Sequence, residues 1–110
     1  MEKSFKTLLY SAGVFPHYCG YNYFLQAVEL AAEKPERLLN IRKEIYTPIA
    51  QRNGTEIQNV EKNIRTIRDI FMKNGGEEIL ADITGSQFWK NKNPYPRDLI
   101  SAFASYQNQD

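Results

Sequence analysis

The sequence predicts an all-α domain of about six helices containing a helix-turn-helix, and three observations predict it. Apolar residues recur at helical spacings along most of the chain, most clearly Val60, Ile64, Ile67 and Phe71 at steps of four, three and four. Glycines and prolines fall between these stripes, where helices stop and start. No stretch alternates apolar and polar residues cleanly enough to read as a strand.

A first helix is expected from Ser4 to about Ala12, with Phe5, Leu8 and Leu9 on its apolar side and Gly13 ending it. Val14-Phe15-Pro16 reads as an extended connector, because a residue before proline avoids the helical region. A second helix, about Tyr18 to Glu33, carries Tyr21, Leu25, Val28 and Ala32, widened by Phe24 and Ala31. Pro35 suits the first turn of a third helix, which runs to about Arg52 with Leu38, Ile41, Ile45 and Ile49 apolar. Pro48 lies inside it, and a mid-helix proline removes one hydrogen bond and crowds the preceding turn. The stripe continues through it, so a kink near Glu44–Ile45 is expected rather than a break. A fourth helix spans about Thr55 to Lys73, with Thr55 as its cap and Asn74-Gly75-Gly76 closing it. A fifth, about Glu77 to Thr84, carries Ile79, Leu80 and Ile83. Gly85 to Tyr95 reads as a loop with Phe88 and Trp89 folded back on the core. A last helix starts near Pro96 and carries Leu99, Ile100 and Phe103, and Gln107 to Asp110 is expected to fray.

One hundred and ten residues suit one domain, and 42% hydrophobic content is that of a globular chain. A single cysteine, Cys19, excludes an internal disulfide, and with one histidine, His17, it makes no adequate metal site. Cys19 is expected to be an ordinary half-buried thiol and His17 a structural or capping residue. No catalytic set forms around one histidine, so no enzyme activity and no cofactor are expected. No apolar run approaches the roughly 20 residues of a membrane span, and the start lacks a convincing signal peptide. The expected setting is cytoplasmic.

Ile49, Ala50, Gly54, Thr55, Ile57 and Val60 match a helix-turn-helix: small residues where two helices touch, a glycine in the turn, an apolar anchor beyond it. Charge supports the same half of the chain. Lys34 to Asn74 holds nine Lys and Arg against five Asp and Glu, a net +4, while the remainder holds five against eight, a net −3. A modest basic excess of this kind suits an anionic partner.

Three segments carry a family resemblance: GVFPHYCGYNYFLQAVEL, LLNIRKEIYTPIAQRN and VEKNIRTIRDIFMKNG. They resemble the C-terminal DNA-binding domain of the stage-zero sporulation response regulator of endospore-forming bacteria. The matching features are Gly13-Val14, His17 with Gly20-Tyr21, Tyr46-Thr47-Pro48-Ile49-Ala50, and Val60-Glu61-Lys62-Asn63-Ile64-Arg65. The resemblance implies a six-helix effector domain that binds promoter DNA in the major groove, often as tandem copies. Family members usually carry an N-terminal receiver, and this chain is expected to hold the effector domain alone. It departs from the family on the recognition helix: Gln58 replaces Ser, Asn59 replaces Arg, Lys62 replaces Arg and Asn63 replaces Ala.

Opposite the apolar stripe of the fourth helix lie Gln58, Lys62, Arg65, Thr66 and Asp69, with Asn59 beside them. Gln58 and Asn59 have the paired acceptor and donor that suit adenine, and Lys62 can donate to guanine. Glu61 can accept from cytosine N4, as the matching family residue suggests, and Arg65 suits a phosphate or a flanking base. Thr55, Arg42, Lys43 and Arg52 are phosphate candidates. Glu61 with Arg65, and Arg65 with Asp69, could instead form weak pairs along the helix. The partner expected is double-stranded DNA, bound as a homodimer or tandem dimer. The alternative is a protein-interaction module of the same fold, with Phe88, Trp89, Phe103 and Tyr106 supplying the contact.

Overall fold

In the computed structural model, which describes residues 3–109, all regular structure is helical. The first helix, α1 (Phe5–Ser11), is capped by Ser4, whose hydroxyl accepts the Thr7 N–H at 3.2 Å. It ends at Gly13, where the backbone turns left-handed at φ +77°. The Val14 N–H then reaches Leu9 O at 2.9 Å and the Gly13 N–H reaches Tyr10 O at 3.0 Å, which satisfies two carbonyls of the last turn. Helix α2 (Cys19–Glu33) follows the connector and buries Tyr21, Phe24, Ala27, Val28 and Ala31. Leu25 and Ala32, expected on that face, sit at its margin and are half-buried.

The single kinked helix expected from Pro35 to Arg52 is wound in three ways. A 3-10 turn (Pro35–Asn40) leads into a π-helical segment (Arg42–Tyr46) and then α3 (Thr47–Arg52). Pro48 is the physical cause. It has no N–H to donate, and its ring crowds the turn before it. The Thr47 N–H and hydroxyl both reach back five residues to Arg42 O, the hydroxyl at 2.8 Å, which widens the turn ahead of the proline. The backbone stays helical at both joins, so the apolar stripe survives and Ile45 and Ile49 are fully buried.

Helix α4 (Ile57–Lys73) buries Val60, Ile64, Ile67 and Phe71, as its periodicity requires. It starts after Thr55: Glu56 is the residue at the cap, and the Thr55 hydroxyl is engaged elsewhere. Gly75 adopts φ +92° beyond its end, and α5 (Gly76–Thr84) begins one residue earlier than expected. Gly76 lies under the Phe71 ring, where a Cβ would come within 2.4 Å of a ring carbon.

Helix α6 (Pro96–Gln107) brings Phe103 into the centre of the core. Its ring meets Phe24 at 5.7 Å and Phe71 at 5.6 Å, both edge-on, the geometry that aromatic quadrupoles favour. Helix α2 lies against both α4 and α6. It approaches α4 closely at Gly20, whose absent Cβ would stand 2.4 Å from Asn63 O. Two expectations fail at the surface. Phe88 is 59% exposed and only Trp89 packs partly on the core, because the loop turns Phe88 outward under Lys92 Nζ, 3.6 Å from its ring centre. Cys19 is exposed, since it starts α2 on the outer side. The expected fray is also smaller: Gln107 is helical and the Asn108 amide donates to Ala32 O at 2.9 Å. Asp110 lies outside the described residues.

Candidate nucleic-acid interface

The α3–α4 junction sets the geometry of the exposed face. Gly54 sits at φ +60° with open space around it, so backbone conformation, not crowding, requires glycine there. The Thr55 N–H closes on Ala50 O at 3.0 Å and the Gly54 N–H approaches Gln51 O at 3.4 Å. Ala50 is 3% exposed, which keeps the two helices close. This helix, turn and helix are consistent with the expected helix-turn-helix.

With its apolar stripe buried, α4 turns Gln58, Asn59, Lys62, Arg65 and Thr66 outward, and all five are exposed. Glu61 is half-buried at the edge of that face. The alternative Glu61–Arg65 and Arg65–Asp69 pairs are not formed among the described residues. Glu61 instead accepts from Arg42 of the π segment at 3.0 Å, and Asp69 pairs with Arg68 at 2.9 Å. Arg42 therefore reaches the face as the partner of Glu61. Among the described residues no carboxylate lies within ion-pair distance of Lys43, Arg52, Lys62 or Arg65.

A short amide ladder stiffens the start of the face. The Asn59 amide donates to the Thr55 hydroxyl at 2.9 Å, and the Asn63 amide donates to Asn59 Oδ1 at 3.0 Å and to Asn59 O at 2.8 Å. Thr55 accepts this bond and keeps its own hydroxyl proton to donate. The Thr66 hydroxyl is turned back on Lys62 O at 3.1 Å.

Beside Arg65 a groove of about 580 Å³ opens between α4, the π segment and the start of α6. Ile41, Tyr46, Glu61, Arg65 and Arg68 line it together with Tyr95, Pro96, Arg97 and Asp98. Burial, and after it the Glu61 carboxylate, push the Tyr46 phenol up to about 12, while Arg65 and Arg97 pull the other way. Tyr46 entered only as part of a matching family segment, and Arg68, Tyr95 and Arg97 had no part in the expected site. Arg68 could have been found, three residues after Arg65 on the same helix. Tyr95 and Arg97 reach the site only through the packing of α6.

The family model for the sporulation initiation factor Spo0A C terminal matches residues 5–106. The chain belongs to this family. The match covers the fold from the first residue of α1 nearly to the last of α6. The Spo0A C-terminal family is one of DNA-binding effector domains of sporulation regulators, not a known enzyme family. The exposed row on α4 is thus carried by a domain whose family binds DNA. Among the described residues no helix is long and apolar enough to cross a membrane, and no group of three or more His, Cys, Asp or Glu is placed to hold a metal.

Proposed function

We propose that the domain is a sequence-specific transcriptional regulator that lays α4 in the major groove of promoter DNA. One observation carries this: an exposed polar row on the first half of α4, with Lys62 and Arg65 free of ion pairs among the described residues, on a helix whose opposite stripe is buried. The early residues of such a helix reach base edges. Gln58 reads adenine, as does Asn59 through the amide hydrogen and lone pair that the ladder leaves free, Lys62 donates to guanine, and Glu61, steadied by Arg42, accepts from cytosine. Lys43, Arg52 and the Thr55 hydroxyl hold phosphates on either side, and Arg65 reaches a phosphate or a flanking base. Two copies bind in tandem or as a homodimer on paired sites.

Fluorescence anisotropy tests this with a duplex carrying the family-type promoter box and a scrambled control. The box is expected to bind more tightly. Lys62→Ala should cost about tenfold on the box and relax the preference at one base pair, without unfolding the domain. Equal affinity for box and scrambled duplexes would refute sequence-specific reading. The second reading, a protein-interaction module, draws on the exposed Phe88 knob beside Trp89. It predicts that Phe88→Ala abolishes self-association or partner binding while box affinity is absent in the parent.

A further inference from the structure

The groove beside α4 contains a polar group that the fold leaves unused. Tyr46 is 6% exposed, yet its hydroxyl is engaged by no other described residue, and the oxygen is not sealed from solvent. A tyrosine this buried ordinarily hydrogen-bonds its hydroxyl to protein. Tyr46 lines the groove, and its hydroxyl oxygen stays open to solvent.

The charges around it are unevenly used. Arg68 is committed to Asp69 and to Pro94 O, at 2.9 and 3.1 Å. Glu61 is held by Arg42, and the Asp98 carboxylate accepts the Tyr95 N–H at 2.9 Å. Arg65 and Arg97 have no carboxylate partner among the described residues, and both line the groove, pulling the Tyr46 phenol down against the larger upward push of burial and of Glu61. Two guanidiniums and a tyrosine whose hydroxyl is unengaged among the described residues line one groove. That donor set exceeds what one carboxylate needs and suits the three or more acceptor oxygens of a phosphate. The groove's volume is in the range of small-ligand sites.

We propose that Tyr46, Arg65 and Arg97 form a phosphate-binding site between the recognition helix and the last helix. The phosphate is either one on the DNA backbone or one carried by a free small molecule that would then compete for Arg65. The site goes beyond the promoter reading and can be tested without it.

Inorganic pyrophosphate is titrated into the full chain at constant ionic strength, and the Tyr46 ring and Arg97 side-chain resonances are followed by NMR. Tyr46→Phe removes only a hydroxyl with no partner among the described residues, and Arg97 is exposed, so both variants should keep the parent's thermal midpoint. Saturable shifts are expected, with Arg97→Gln and Tyr46→Phe each weakening binding about tenfold. The same variants are then measured on the box duplex. A loss of about tenfold, with a salt slope about one unit shallower for Arg97→Gln, assigns the phosphate to the DNA backbone. Unchanged DNA affinity with pyrophosphate binding lost in the variants assigns a free phosphorylated ligand. DNA affinity unchanged, with no saturable shift or with shifts the variants retain, overturns the site. A parent that binds no duplex would sink the promoter reading and leave pyrophosphate to decide this one.

Discussion

Tyr46 is where local chemistry and fold stability meet. Burial holds the phenol neutral and raises it from an ordinary 10.0 to about 12. The native state therefore keeps its proton at a pH where the unfolded chain has lost it. Stability from this residue is fully present below about pH 10 and disappears as pH rises towards 12. The shift corresponds to on the order of 3 kcal/mol. Tyr46→Phe should leave stability at neutral pH nearly unchanged and make the fold less sensitive to alkali between about pH 10 and 12, as urea unfolding at stepped pH would record. Parallel alkaline curves for parent and variant would show that the hydroxyl is solvated. A neighbouring residue shows how packing changes a role. Glu61 beside DNA would repel phosphates if free, but its pair with Arg42 cancels that charge and leaves lone pairs for a base amine.

Among the elements, α4 was the most legible in the sequence, because one buried stripe on a long helix imposes a periodicity that nothing local opposes. The segment before it was legible only in part. Leu38, Ile41, Ile45 and Ile49 announced a continuous apolar side, but the missing N–H of Pro48 is absorbed by a π winding, which periodicity does not encode. The groove was not legible at all, since Arg97 and Tyr46 come to line one groove only when α6 packs across α4. Phe88 misled for a related reason: an aromatic in a loop reads as core, and only the loop's path turns it outward. Close packing between elements has a sharper consequence at Gly20. A methyl group there would meet Asn63 O at 2.4 Å and Ile67 Cγ1 at 2.8 Å, so α2 must move away from α4. Gly20→Ala should destabilise the domain by about 1–3 kcal/mol despite the gain in helix propensity. Because Asn63 belongs to the amide ladder under Asn59, box affinity should fall as well. A variant as stable as the parent would mean that the two helices separate at little cost.

Across the whole molecule, a net charge of +1 conceals a division. The segment from Lys34 to Asn74 carries +4 and the remainder −3, so approach to a polyanion is directional although total attraction is weak. The same segment contains the α3–α4 turn, the ladder and the cations Lys43, Arg52 and Arg65, which have no ion pair among the described residues, so the basic half and the proposed reading half coincide. The core ties that half to the rest. Phe103 of α6 packs on Phe71 of α4 and on Phe24 of α2, so the last helix bears directly on the orientation of the first half. Three cations placed on phosphates release their counterions on binding, at about 0.9 in log–log slope for each. One domain on one box should therefore give a salt slope of about −2.7, and two domains on adjacent boxes about −5.4. Anisotropy titrations over a salt series, on duplexes with one box and with two, measure both. A doubled slope establishes tandem occupancy without mass measurements. An equal slope on both duplexes means that a single copy binds, and a slope near −1 would place the basic half away from the DNA altogether.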